Sequence, residues 1–479
     1  MRAHFALASM FVFALGACTS LLGDFDVGDG GTETEGGPDA PTDAPTLQKV
    51  HCVAGATPTN ITTNNALQAN QLRMAVFPDG RARMVVPDFE EGDAGAEIVL
   101  HAYTIDKGDA SVSADVQTTL PTNRVLAVER YNGTPPGFAA LYEQRDTSTN
   151  LALYLATLPD NAPSWTTSEL GVSPANGVAG ASTNATFAVT GPSSNQYFIA
   201  YSVTSATSQD IYVGNVTSGG AGPIPLMKAA NFGTSNGNEA YSFNEPAIAI
   251  EPGANAYVML APSNKSGPPK QGAQVQIVVP GPNNASFALT PPGTLNYFPS
   301  GFTGSGGSDK ANMAMLVASL DTYTGGYYVG QVPYASLSSS FDPTTLTPTI
   351  VQGADGGSVD LKQLFIGGST QHWEVPPQNS SEQLLMVGPS VDLIGPTRYP
   401  GINFAWWDGA TGQNRTFQTG DDDLLGTVSN VAVADVAFIG LSGSVGTFLL
   451  AYIADKDPPP FGGSPGPGDL VITSLGCQP

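Results

Sequence analysis

The chain has 479 residues, a net charge of −24 and only 12% charged residues, alongside 56 glycines and 39 prolines. A pI near 4.2 excludes a basic groove for nucleic acid, and abundant turn formers with few lysines suit an exported all-β protein. Three cysteines (Cys18, Cys52, Cys477) and four histidines leave little material for a thiol or metal centre.

Residues 1–17 read as a signal peptide, with Arg2 followed by an apolar run from Phe5 to Leu15 that is too short to span a bilayer. The run ends in Leu15-Gly16-Ala17-Cys18, which resembles a bacterial lipobox. That resemblance implies cleavage before Cys18 and diacylation of its thiol; cleavage by a general signal peptidase is the other reading. Two acyl chains suffice for stable anchoring. Thr19 stands where an inner-membrane retention Asp would be, so the resemblance implies an outer-membrane lipoprotein facing the periplasm or the cell surface.

Residues 18–46 contain no Lys or Arg and little apolar surface, which predicts a disordered acidic tether. Within it, Asp24, Asp26 and Asp29 invite a calcium reading, but Gly28 occupies the third ligand position, which favours a solvated linker.

From residue 47 to 479 a weak repeat runs through the chain. Units start at Asn70, Asn123, Asn184, Asn244, Asn296, Asp360 and Asn430, and the six steps average 60 residues. The unit "NATFAVTGPSSNQYFIAYSVTSATSQDIYVGNV" reads as a short strand, an apolar strand ending near Tyr201 and a third strand from Ile211. Segments such as "ASVSADVQTTL" and "TLTPTIV" supply weaker fourth strands. Seven units of four strands predict an all-β, seven-bladed β-propeller. Small residues in the first strands (Ala127, Ala188, Ala247, Ala434) fit a taper toward an axis. Tandem fibronectin-like domains would need about 90–100 residues each.

The grammar around Tyr201 and Asp210–Val213 resembles secreted propellers of the sialidase-like (BNR) type. Those carry an Asp box after the third strand, where this chain reads "TSGGAG" without Asp or Trp. The sialidase arginine triad has no evident match either.

The seventh unit offers three strands before "DLVITSLGCQP", so "LQKVHCVAG" after the tether is expected to supply the fourth and close the ring. Cys52 and Cys477 would then lie within bridging range, in a compartment that permits a disulfide. Free thiols or intermolecular pairing remain open.

In a propeller, connections into the first strand and those between strands two and three share one face. Asn123, Asn184, Asn244, Asn296, Asn430 and Asp360 would therefore ring a channel mouth, either as Asx caps or as amides offered to a polar ligand such as a glycan. Loops of that face add Asp88, Glu90, Glu91, Asp93, Lys265, Lys270, Asp455 and Asp457, and also Arg398 and Tyr399, which could hold a carboxylate or stack on a sugar. No motif implies a cofactor; calcium is the one ion such acidic loops would suit. His372, Trp373 and Glu374 are expected on the opposite face, between strands one and two of unit six. Trp406 and Trp407 are expected in blade packing.

No H-E-x-x-H, C-x-x-C or phosphate-binding glycine loop occurs, and "GGSPG" around Ser464 lacks a strand-to-helix context. The expectation is a monomeric, lipid-anchored propeller that binds or scaffolds a protein or glycan at the cell envelope. The alternative is a polysaccharide hydrolase or lyase using mouth acids such as Glu245 and Asp360, which would need two carboxylates at glycosidase separation. A purely structural envelope protein is the third reading.

Overall fold

The computed structural model describes 29 strands between His51 and Gln478. It also describes the connecting residues 58, 72, 77, 79–81, 106–111, 121–122, 124, 135–136, 150, 160–165, 173–181, 205 and 334–335. All of these belong to a unit spanning Lys49–Pro479. The strands β1 (His51–Ala54) and β2 (Thr59–Thr62) come first and are used last.

Four-stranded antiparallel meanders then follow in order. The first is β3 (Arg73–Val76), β4 (Ala82–Gly92), β5 (Gly95–Ile105) and β6 (Val112–Leu120). The second is β7 (Val125–Tyr131), β8 (Gly137–Arg145), β9 (Leu151–Pro159) and β10 (Thr166–Val172). The third is β11 (Ser182–Val189), β12 (Gln196–Thr204), β13 (Ser208–Thr217) and β14 (Met227–Gly233). The fourth is β15 (Ala247–Ile250), β16 (Ala256–Leu260), β17 (Val275–Val279) and β18 (Ala285–Leu289).

An eight-stranded sheet comes next, made of two such meanders. They are β19 (Leu295–Gly304), β20 (Lys310–Ser319), β21 (Gly325–Pro333) and β22 (Pro348–Val351), then β23 (Ser369–Val375), β24 (Ser381–Val391), β25 (Arg398–Asp408) and β26 (Gln413–Gln418). Parallel pairing of β22 with β26 joins their edges, with Ile350 opposite Arg415 and Val351 opposite Thr416. The last sheet is β27 (Val431–Ser442), β28 (Val445–Asp455) and β29 (Gly468–Gln478), with β1 and β2 both on the free edge of β29. First strands neighbour one another in succession, β3 beside β7, β7 beside β11, and so on to β23 beside β27, with β27 beside β3. Radially stacked four-stranded meanders of this kind are a β-propeller.

The sequence dictates this stacking, because its strands are apolar on both faces. In β4, Met84 and Val86 enter one core while Val85 enters another. In β8, Phe138, Ala140 and Tyr142 face the first sheet, and Ala139 and Leu141 face the third. Period-2 alternation thus persists, with both sets of residues buried. Ala127, Ala188, Ala247 and Ala434 all fall on first strands, as the taper requires.

Three expectations are corrected. His372, Trp373 and Glu374 lie within β23, the first strand of its meander, and not in a connection. That meander begins at Ser369, nine residues beyond Asp360. The acidic "PDFEEG" stretch is no open loop, since the β4–β5 ladder continues to Gly92 opposite Gly95. Here the strong pairing of a long hairpin outweighs the poor strand preference of Asp and Glu.

The first and last sheets are stitched by a buried carboxylate. Asp435 on β27 is fully buried and accepts hydrogen bonds from the backbone N–H of Met74 on β3 (2.5 Å) and from its own neighbour Val436 (2.9 Å). On the far side of β3, the Arg130 guanidinium donates to the Met74 carbonyl at 2.8 Å, and Arg73 pairs with Glu129 at 3.2 Å. Asp435→Ala would leave two buried N–H groups without acceptors. Urea unfolding should register a loss of about 2–4 kcal/mol, with a smaller loss for Asp435→Asn, which keeps one acceptor.

Candidate functional site

The two rims of the sheets are distinguishable by what meets there. On one rim, the β3–β4 turn of the first sheet reaches the β9–β10 turn of the second, where Arg81 and Arg83 each approach Asp160 at 3.4 Å. The opposite rim carries the connections into first strands (121–124 and 173–181) and the ends of second strands. This is the face on which the sequence places a channel mouth.

A buried polar cluster sits on that mouth face, between the second and third sheets. Glu143 follows the apolar run of β8 and is only 9% exposed. Its carboxylate accepts hydrogen bonds from the hydroxyls of Ser173 (2.8 Å), Thr183 (2.9 Å) and Tyr201. Ser173 Oγ also lies 2.9 Å from the Tyr201 hydroxyl and accepts the N–H of Ala175 at 3.1 Å. The Thr122 hydroxyl donates to the Glu143 carbonyl at 2.5 Å, and Arg124 donates to Thr183 Oγ1 at 3.2 Å. One carboxylate thus ties together β8, β11, β12 and the 173–181 connection. With three hydroxyl donors on it, the group acts as a tether.

The tether fixes the 173–181 connection from below, and backbone bonds fix it from within. Ser173 N donates to Leu151 O (2.8 Å), Asn176 N to Ser173 O (3.0 Å) and Val178 N to Ala175 O (3.0 Å). Asn176 Oδ1 in turn accepts from Leu151 N at 2.9 Å. Gly177 and Gly180 adopt φ of 78° and 64°, the left-handed region that glycine occupies without strain. The result is a braced loop that, with the end of β10, presents Val172 and Val178 to solvent, 46% and 39% exposed.

A second cluster lies on the outer strands of the first sheet. His101 Nδ1 is 2.9 Å from Asp115 Oδ2, and its ring stacks on Tyr103 with centroids 5.4 Å apart. Burial opposes ionisation of Asp115, but hydrogen bonds from His101 and Gln117 outweigh it and hold the carboxyl below its usual range. Among the described residues, no three His, Cys, Asp or Glu side chains group as metal ligands.

Of the residues singled out from sequence, Asn184 and Asn296 occupy ladder positions, opposite Ser202 and Ala318. Arg398 and Tyr399 are the first two residues of β25. Cys52 lies directly opposite Cys477 in the β1–β29 register, and Cys477 is fully buried. Cys18, Asn123, Asn244, Asn430, Asp360, Glu245, Lys265, Lys270, Asp93, Asp457 and Ser464 lie outside the described residues. Glu143, Ser173 and Thr183 were not anticipated. The one hint was an acid directly after an apolar strand run, and its hydroxyl partners stand 30, 40 and 58 residues away.

No protein-family model matches the chain, and no curated protein matches it. Among solved structures, it is similar to the β-propeller domain of the trilobed protease from Pyrococcus furiosus, at 6% identity and TM-score 0.36, covering 83% of this chain and 97% of that one. It is also similar to a PL25 ulvan lyase, a polysaccharide lyase, at 8% identity and TM-score 0.40, covering 87% and 96%. A third similar structure is the exo-β-1,3-galactanase from Phanerochaete chrysosporium, at 12% identity and TM-score 0.29, covering 87% and 99%. Likenesses this distant carry no argument about activity.

The tyrosines of these cores set an alkaline limit. Burial, then the Glu143 charge, pushes the Tyr201 hydroxyl far above its ordinary value, and burial pushes Tyr142 up to about 12. Below about pH 10 both folded and unfolded tyrosines hold their protons, and the stabilisation is complete. Above it the unfolded chain releases protons that the folded chain retains, so stability falls as pH rises. Denaturant titrations from pH 8 to 12 should record that decline. Tyr201→Phe should flatten it while costing about 1–2 kcal/mol at neutral pH through the lost hydrogen bond.

Proposed function

We propose that the chain is a lipid-anchored, seven-bladed propeller of the bacterial outer membrane that binds or scaffolds a protein or glycan through its mouth face. The observation that carries this reading is the braced 173–181 connection. A loop held by a buried carboxylate at its base, with apolar side chains at its surface, is pre-organised to meet a partner at low entropic cost. The succession of first strands from β3 through β27 and back to β3 supports seven blades in a closed ring.

Closure rests on β1 and β2, which complete the last blade from the N-terminal side of the chain. Partner residues in an antiparallel ladder have Cα atoms about 4.5–5.5 Å apart, inside the range a disulfide spans. The register therefore supports a Cys52–Cys477 bridge, which would enclose about 425 residues and add on the order of 5 kcal/mol through loop closure. Non-reducing peptide mapping should recover the two peptides as one; both thiols free would refute the bridge.

Binding is tested by presenting the purified chain to arrays of bacterial polysaccharides and to envelope extracts, with product release followed in parallel. The expected result is retention of one glycan or protein class with no release of sugar ends. Release of reducing or unsaturated ends would favour the polysaccharide hydrolase or lyase instead. Neither binding nor release would leave a structural role.

A further inference from the structure

The mouth loop carries a reactive dipeptide, Asn176–Gly177; the chain's other Asn–Gly pairs are Asn132–Gly133 and Asn236–Gly237. Asparagine before glycine is prone to deamidation, because glycine has no Cβ to shield its nitrogen from the side-chain carbonyl. Here that nucleophile is open. Gly177 is exposed, and a side chain in its place would meet nothing within 4 Å. Its N–H donates to no acceptor among the described residues, whereas Asn176 N donates to Ser173 O and Val178 N to Ala175 O.

The electrophile, by contrast, is held. Asn176 Oδ1 accepts the Leu151 N–H at 2.9 Å, and Nδ2 donates to Asn150 Oδ1 at 3.4 Å. A backbone N–H can only donate, which fixes the orientation of the amide. The side chain is thereby drawn back to the start of β9. A ring of bonds completes the hold, from Ser173 N to Leu151 O, from Leu151 N to Asn176 Oδ1, and from Asn176 N to Ser173 O. Ser173 is itself pinned through its hydroxyl to Glu143.

We infer that Asn176–Gly177 is a latent modification site, kept as an amide by the Glu143 tether and converted to an acid when the loop opens. In the reaction the Gly177 nitrogen attacks Asn176 Cγ and gives up its proton to solvent. The N–Cγ bond forms, the Cγ–Nδ2 bond breaks and ammonia leaves. Water then opens the cyclic imide at either carbonyl, giving aspartate or isoaspartate, with no oxidant or reductant consumed. Closure requires Cγ to swing onto the next nitrogen, and the Leu151 and Asn150 bonds and the Ser173–Asn176 turn all oppose that movement. Either product loses the Nδ2 donor, so an acceptor faces Asn150 Oδ1. Isoaspartate also lengthens the loop backbone by a methylene. Conversion therefore resists reclosure of the loop and adds a negative charge near Val178, whatever the mouth face binds.

The test follows conversion at all three Asn–Gly pairs of the full-length chain in mildly alkaline buffer, folded and in urea. Peptide mapping reads the amide-to-acid mass change, and isoaspartyl methyltransferase labelling scores the isomer. In the folded chain, position 176 should convert at least about tenfold more slowly than in urea, because the reaction waits on a local opening. In folded Ser173→Ala its rate should rise severalfold, with positions 132 and 236 unchanged. Equal rates at 176 in folded and urea-treated chain would overturn the inference. So would a Ser173→Ala rate that stays at the native value, or one that rises equally at all three pairs, since that reports loss of the fold and not of the tether. If Ser173→Ala does not fold, Glu143→Gln, which keeps the shape but weakens the bonds to the group, takes its place with the same expected and overturning results.

Discussion

A sheet that is apolar on both faces cannot leave either one bare, and this constraint governs the rest of the molecule. Met84 and Val86 leave β4 on one side, and Val85 leaves on the other. The first sheet consequently needs two partners, and only the last sheet can be the second. Met84, Val86 and Ile105 of the first sheet share a core with Leu449, Ala451, Leu470 and Ile472 of the last. Burial at about 25 cal/mol per Å² of apolar surface drives that contact. β1 and β2 then cover the edge of β29, which would otherwise be exposed.

Two buried carboxylates sit at seams between neighbouring sheets. Asp435 receives backbone N–H groups near the hub, whereas Glu143 receives side-chain hydroxyls nearer the mouth face. Both would be costly if left without partners. Their partners come from different sheets, so each converts a desolvation problem into a specific alignment of neighbours. Hydrophobic contact alone would tolerate sliding of one sheet over the next; these directional bonds do not.

Much of the architecture was legible because it is local. Unit starts inferred at Asn70, Asn123, Asn184, Asn244, Asn296 and Asn430 fall within three residues of observed first strands. The sixth start missed by nine, since β23 begins at Ser369. The N-terminal strand was legible from the missing partner of β29, but β2 was not, because "TNIT" is short and polar. The Glu143 cluster was invisible for another reason. Its members meet only after three strands and two connections have folded, and a serine, a threonine and a tyrosine carry no spacing signature.

The parallel seam between β22 and β26 has its own consequence. Among the described strands, these two meanders alone are joined edge to edge by backbone pairing, through Ile350 with Arg415 and Val351 with Thr416. Opening either meander therefore bares the backbone edge of the other, so the amides of both should exchange with solvent in a single cooperative event. The stack of meanders, so regular in its repeat, is uneven in how it comes apart.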